Sequence, residues 1–459
     1  MHTGGIALLE GPPPPYPEVL ERVRARLHRV PRYRRRLVAP PLGLGDPRWV
    51  DDPAFNLRYH VRHTGLPAPG DAAKLNALAA RVFSQQLDRS KPLWELWIVE
   101  HLEGGGWALV SKTGLELVED ATDAAIVSTL FDTTPDVQDP PPEHWEPRPA
   151  PTPAQLAAEA VNEALRPSTA IDRARRALET ATELARAPLS TPPSSPLNVR
   201  TGPHRRLAVV DARLDDFRAV KDAFGGTVND AVLAVVAGAL RRWLHGRGTR
   251  TEGVEVVAGV PMSASGGRLV QVDCPLPLDV PDPIQRLRTI ADHMRALAES
   301  QRALRADVIA ACGDFEPPTI LARAARIGLA SRSSNLLVTN VPGPQSTLYL
   351  VGRRLERTFP IPGLPAGHAL GVAATSYDGG MNFGLLADYD AVPDLDAIAV
   401  GLVDALAELL GLAAAPLTRR TPKTTRTRAR ARAKRGGAGA KPRGGGAKPR
   451  GKGAGGASR

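Results

Sequence analysis

The chain has 459 residues, of which 42% are apolar and 23% charged, with a formal net charge of +11. That length allows two domains of ordinary size, each with its own core, and the apolar share excludes a chain disordered throughout. The charge is uneven: residues 418–459 hold 15 Lys or Arg and no acid, and the rest of the chain holds 44 basic against 48 acidic residues, a net of −4.

The longest uninterrupted apolar run, Ala231 to Leu240, covers 10 residues. A bilayer-spanning helix needs roughly 20, so no transmembrane helix is expected. Met1 to Pro15 lacks the basic and apolar segments of a secretory signal. The two cysteines, Cys274 and Cys312, have no metal or redox spacing and read as buried thiols of a cytoplasmic protein.

Strand and helix signals alternate along residues 1–133. Trp107 to Lys112 reads as a strand, and Ala121 to Phe131 as a short helix with Ile126, Leu130 and Phe131 on one face. A proline-rich stretch, 135–153, and a breaker cluster, 189–196, bracket a helical segment from Ala154 to Arg186 that Pro167 interrupts. Residues 134–200 are therefore expected to connect two domains. Beyond them Leu207 to Val210 reads as a strand and Leu214 to Phe224 as a helix. Thr227-Val-Asn-Asp230 opens a strongly apolar helix through Leu244, with Asn229 or Asp230 suited to cap it. Val254 to Val260 and Leu336 to Thr339 look like buried strands. The alternation predicts an α/β protein with lobes at 1–133 and 201–415.

Residues 416–459 carry glycine, proline and cations, with two copies of Gly-Ala-Lys-Pro-Arg-Gly. Such a tail cannot bury a core and is expected to be disordered. Its cations suit anionic lipid headgroups or nucleic acid, the latter without sequence preference because no aromatic is there to stack on bases. A purely solubilising role is the alternative.

Six stretches occur in a telling order: Leu87-Asp-Arg-Ser-Lys-Pro-Leu-Trp-Glu95, Gly226-Thr-Val-Asn-Asp-Ala-Val-Leu-Ala234, Thr339-Asn-Val-Pro-Gly-Pro344, Leu348-Tyr-Leu-Val-Gly352, Ser376-Tyr-Asp-Gly379 and Val392-Pro-Asp-Leu395. With Phe55-Asn-Leu-Arg-Tyr-His-Val-Arg62 as an early strand, the chain resembles the bacterial wax ester synthase/diacylglycerol acyltransferase family over roughly 1–412. The resemblance implies the fold of coenzyme A-dependent acyltransferases and condensation domains, two mixed-sheet lobes with a solvent tunnel between them. It implies acyl transfer from acyl-coenzyme A to a long-chain alcohol or diacylglycerol, giving wax esters or triacylglycerol. Acyl-coenzyme A would be the co-substrate, with no metal and no bound cofactor. The partners implied are that thioester and a lipid acceptor, with residues 418–459 drawn to an anionic membrane or lipid-inclusion surface. Asn229, Asp230, Asn340, Pro342 and Gly343 would lie beside the tunnel as substrate contacts, although a helix cap and a tight turn explain them equally simply. Pro92-Leu93-Trp94 reads as a packing anchor.

The catalytic motif of that family is His-His-x-x-x-Asp-Gly, placed just after a strand. Here the strand ends at Lys112 and runs into Thr113-Gly-Leu-Glu-Leu-Val-Glu-Asp120. Gly114 and Leu115 thus stand at the two histidines, and Glu119 and Asp120 at the Asp-Gly pair. An alcohol attacks a thioester well only when a base takes its proton, and histidine suits that task because it titrates near neutrality. Leucine has no lone pair, and loss of a general base costs ~10²–10⁴-fold in rate. Glu119 could partly replace the aspartate, while Asp120 tolerates a tight turn less readily than glycine. Glu116, one residue past the catalytic position, is the candidate substitute base. His60, His63, His101 and His204 read as surface or structural histidines. The sequence therefore predicts a family acyltransferase with impaired catalysis; the alternatives are an inactive acyl- or coenzyme A-binding relative, or a scaffold whose basic tail binds polyanions. Two further departures stand out. The chain begins at a Met-His-x-Gly-Gly segment that most relatives precede with a leader, so Met1 is either a misassigned start or a true truncation. Val260-Pro-Met-Ser-Ala-Ser-Gly-Gly267 runs short before Leu276-Pro277, which leaves the family's usual asparagine there unplaced.

Overall fold

The computed structural model describes residues 1–41, 47–117, 126–136, 139, 141–142, 144–165, 195–263, 269–300 and 334–414. The expected disordered tail, Cys312, Glu119, Asp120, residues 121–125 of the expected 121–131 helix and residues 166–186 of the expected 154–186 helix lie outside them.

The first half contains β1 (His2–Leu9), α1 (Tyr16–Arg26), β2 (Arg35–Val38), β3 (Arg48–Asp51), α2 (Leu57–His60), β4 (Val61–Gly65), α3 (Ala72–Ser84), β5 (Trp94–Glu100), β6 (Trp107–Gly114), α4 (Ile126–Leu130) and α5 (Pro153–Leu165). The early strand expected at 55–62 is in fact a helical turn followed by a strand. The Asn56 side chain accepts from Arg58 N and starts the turn, so extended pairing begins only at Val61.

The second half contains β7 (Arg205–Arg213), α6 (Leu214–Phe224), α7 (Val228–Gly246), β8 (Val256–Ser263), β9 (Leu269–Leu276), α8 (Pro283–Ser300), β10 (Leu336–Val341), β11 (Tyr349–Leu350), β12 (Arg353–Ile361), β13 (Leu370–Tyr377), β14 (Gly380–Asp388) and α9 (Leu395–Ala414). The α7 cap is Thr227, not Asn229 or Asp230. Its hydroxyl accepts from Asp230 N while the Asp230 carboxylate accepts from Thr227 N, a reciprocal capping box.

Two six-stranded mixed sheets carry the fold, ordered β11-β12-β1-β6-β5-β4 and β7-β14-β13-β10-β8-β9. In the first, β4 and β5 run parallel and the other neighbours antiparallel; in the second, β10 runs parallel to both β13 and β8. Residues 349–361 cross over from the second half to complete the first sheet beside β1. Helix α3 sits on one face of that sheet, where Leu78, Val82 and Phe83 share a core with Ile6, Val110, Phe359 and Leu386. The sheets themselves touch where β14 meets β12. A side chain on Gly384 would place its Cβ 1.7 Å from the Pro360 carbonyl oxygen, so only glycine lets the strands approach.

Helices α7 and α9 cover the second sheet. Gly238 and Gly401 admit Ala405 and Ala239 at the crossing, and nearly every residue from Asp230 to Leu240 is buried. Among the described residues, α9 has the length and apolar content of a membrane span. Asp396, Asp404 and Glu408 divide its sequence, so it contains no long uninterrupted apolar run. One of its faces is committed to the core through Ile398, Leu402, Ala405 and Leu409.

Candidate functional site

A cavity of about 530 Å³ opens where the start of β1, the end of β6 and the end of α3 meet the 201–205 and 364–366 segments of the second half. Gly114 and Glu116 form part of its wall, together with His2, Phe83, Leu93 and Arg89. Among the described residues, Asn229, Asp230, Asn340, Pro342 and Gly343 do not line it. Asp230 is occupied by the α7 cap, and burial raises its carboxyl above the usual range. The Gly343 amide donates to Ser376 Oγ at 3.2 Å, which ties the 340–344 loop to β13.

The motif positions diverge at the strand end. β6 is buried along its whole length and stops at Gly114, after which Leu115 to Leu117 form a 3-10 turn. Leu115 is 3% exposed and packs in the apolar cluster of Leu93, Trp94, Leu117 and Ile126, away from the cavity wall. A Cβ at position 114 would lie 2.9 Å from Leu93 Cβ and 3.0 Å from Glu116 Oε2. Leu93 therefore holds position 114 to glycine, and the room for a side chain there is closed. Leu93 and Trp94 are indeed packing residues, the Trp94 indole donating to the Tyr33 carbonyl at 2.8 Å.

The charges around the wall are paired. Arg89 donates to Glu116 Oε1 at 2.9 Å. On the same face of β6, two residues before Gly114, Lys112 is fully buried and donates from Nζ to the carbonyls of Val82, at 2.8 Å, and Gln85. These are carbonyls at the end of α3, where a cation is favoured. Burial pulls the Lys112 ammonium down to about 8, opposed by the Glu95 carboxylate paired across the strand.

Of the histidines weighed from sequence, none lies on the cavity wall. His60 is buried beneath Trp94, with ring centroids 4.5 Å apart, and Nδ1 donates to the Trp94 carbonyl. His63 pairs with Glu100 at 2.7 Å, and His101 and His204 are exposed. The cavity histidine is His2, which sequence reasoning passed over. The Met-His-x-Gly-Gly segment was its only signal, and the β1–β6 register that brings it to the cavity is a long-range pairing no local pattern reveals. Its Nε2 lies 2.8 Å from the Phe83 carbonyl. Among the described residues no three His, Cys, Asp or Glu side chains gather to hold a metal ion, and the buried Cys274 thiol is pushed up to about 12 by burial.

Comparison with known proteins adds a lineage to this geometry. The profile of the wax ester synthase/diacylglycerol acyltransferase catalytic domain matches residues 1–232, and that of the WS/DGAT C-terminal domain matches residues 266–410. The chain is 33% identical over 422 residues to tgs1 of Mycobacterium tuberculosis, named a probable diacylglycerol O-acyltransferase, covering 89% of this chain and 91% of that one. It is 32% identical over 438 residues to tgs2 of the same species, similarly named, covering 89% and 94%. The solved wax ester synthase/diacylglycerol acyltransferase from Marinobacter aquaeolei VT8 superposes with a TM-score of 0.65 at 26% identity, covering 90% of this chain and 95% of that one. The first condensation domain of the calcium-dependent antibiotic synthetase shares the fold alone, with a TM-score of 0.53 at 15% identity and coverage of 90% and 92%.

Proposed function

Because the chain belongs to the wax ester synthase/diacylglycerol acyltransferase family, we propose that its cavity binds an acyl-coenzyme A thioester and a lipid alcohol and transfers the acyl group slowly. One observation carries this: a cavity opens beside the motif positions while neither of them contributes a base to it. Gly114 has no side chain, and Leu115 is turned into the core. A neutral hydroxyl then attacks without the proton acceptor that the family motif supplies, at a cost of ~10²–10⁴-fold. Glu116 reaches the cavity, but its carboxylate is held in an ion pair with the Arg89 guanidinium at 2.9 Å.

Titration of the full chain with palmitoyl-coenzyme A, followed by calorimetry, tests the binding half. Ala366, exposed on the cavity wall, can be enlarged without disturbing the core. Binding that disappears in Ala366→Trp at unchanged melting temperature supports the proposal. A native chain that binds no thioester, or an Ala366→Trp variant that binds it equally well, rejects it.

A second reading rests on the 15 cations of residues 418–459: the tail holds the protein at an anionic surface, lipid or nucleic acid. Deleting 418–459 should then abolish sedimentation with anionic vesicles or retention on DNA while leaving palmitoyl-coenzyme A binding intact.

A further inference from the structure

The wall that lost the motif histidines still holds one imidazole, and the sheet register fixes where it stands. His2 is the β1 partner of Gly114 on β6. Directly opposed residues of an antiparallel pair project to the same face, their Cβ positions ~5 Å apart. His2 therefore stands one cross-strand step from the first motif position and faces the same cavity. β1 is held there from both sides: Thr3 Oγ1 donates to the Ile361 carbonyl at 2.6 Å, and a Cβ at Gly4 would meet the Ser111 carbonyl oxygen at 1.8 Å.

The hydrogen bond to Phe83 decides the tautomer. A carbonyl oxygen can only accept, so the contact at 2.8 Å requires the proton on Nε2. The lone pair is then on Nδ1, which has no hydrogen-bond partner among the described residues. An oriented, neutral imidazole with an uncommitted lone pair, lining the cavity of an acyltransferase fold, is equipped to accept a proton.

We infer that His2 is the proton acceptor for the acyl transfer proposed above, standing in for the base missing at Leu115. The acceptor hydroxyl oxygen forms the new C–O bond to the thioester carbonyl carbon while its proton passes to His2 Nδ1. The C–S bond breaks, the imidazolium returns that proton to the departing thiolate, and ester, free thiol and neutral His2 remain. This inference rests on the proposed thioester binding and adds to it the residue that carries the remaining turnover.

The surroundings of His2 make it a slow base and give it a signature. Burial lowers its imidazolium to about 3, aided by the Lys112 ammonium on β6 and by Arg205 on β7. Glu116 and its partner Arg89 face the same cavity. A weak base transfers protons slowly, but it is also not silenced by mild acid. Turnover should stay level from pH 5 to 7, below the range in which Lys112 titrates, where an ordinary histidine base would lose activity below its pKa near 6.5.

The test measures palmitoyl-coenzyme A affinity and thiol release with hexadecanol or dioleoylglycerol, on the full chain and on His2→Gln and His2→Ala. Glutamine can still donate to the Phe83 carbonyl but is no base. The expected result is that His2→Gln binds the thioester as the parent does and releases thiol roughly 100-fold more slowly. His2→Ala should fall likewise and recover when free imidazole fills the vacated space. Parental turnover in His2→Gln, or a parental rate that falls with an inflection near pH 6.5, would overturn the role of His2 and leave the proposed binding standing. Thioester binding without any turnover in the parent would do the same. Absence of thioester binding in the parent would overturn both.

Discussion

Leu115 is where a residue-scale account departs from a motif-scale one. Matching the motif puts it at the position of a catalytic histidine, yet its side chain lies at 3% exposure among Leu93, Leu117 and Ile126. A histidine placed there would enter an apolar cluster with no partner for its ring nitrogens. Leu115→His alone is therefore expected to leave turnover unchanged and to lower the unfolding free energy by about 1–3 kcal/mol, read from urea titration. Gly114→His meets Leu93 Cβ instead, an atom that cannot swing aside. The missing histidines were legible in the sequence, because Thr113-Gly-Leu-Glu116 contains none. The closure of the vacated space was not, since it depends on how Leu93 on a neighbouring segment packs against the strand end.

At the scale of elements, α1 is fastened to the segment after the motif by charge. Arg26, 2% exposed, donates to Asp132 at 2.6 Å, to Asp139 at 2.7 Å and to the Thr129 and Leu130 carbonyls that end α4. Arg22 bridges to the same two aspartates. Removing one carboxylate leaves a buried guanidinium short of its counter-charge. Asp132→Ala should cost about 3 kcal/mol of stability, measured by chemical denaturation, and should loosen α4 in hydrogen exchange before the second sheet responds. The cap of α7 is worth less: Thr227→Ala should cost about 1 kcal/mol by the same measurement. Elements with strong periodicity, such as Leu214 to Phe224 and the apolar α7, were legible from sequence to within a residue or two of their ends. The helical turn at 57–60 was not, because a single Asn56 side chain decides it against an otherwise strand-like pattern.

The whole molecule depends on two sheets meeting at β12 and β14 and on histidines kept neutral within the first half. His60 is held at about 4 by burial, below its ordinary 6.5. The unfolded chain takes that proton near pH 6.5 whereas the folded chain resists until about pH 4. Stability is therefore present above pH 6.5 and is lost as pH falls toward 4, by about 3 kcal/mol from this residue. His60→Phe retains an aromatic ring against Trp94 and should flatten that slope in denaturation experiments run between pH 7 and 4.5. The α/β class and the family were legible in ordered motifs spread along the chain, because those motifs are local in sequence. The crossing of residues 349–361 into the first sheet, the contact at Gly384 and the arrival of His2 beside Gly114 are pairings across most of the chain length, which local propensity does not encode.

The central claim is that this fold keeps a thioester cavity while lacking the base its family uses at the motif. Steady-state release of coenzyme A from palmitoyl-coenzyme A, at saturating dioleoylglycerol or hexadecanol, tests it most directly when set beside a relative with an intact His-His-x-x-x-Asp-Gly motif. The account predicts a detectable rate ~10²–10⁴-fold below that relative at comparable thioester affinity. A rate equal to that of the intact relative would contradict it.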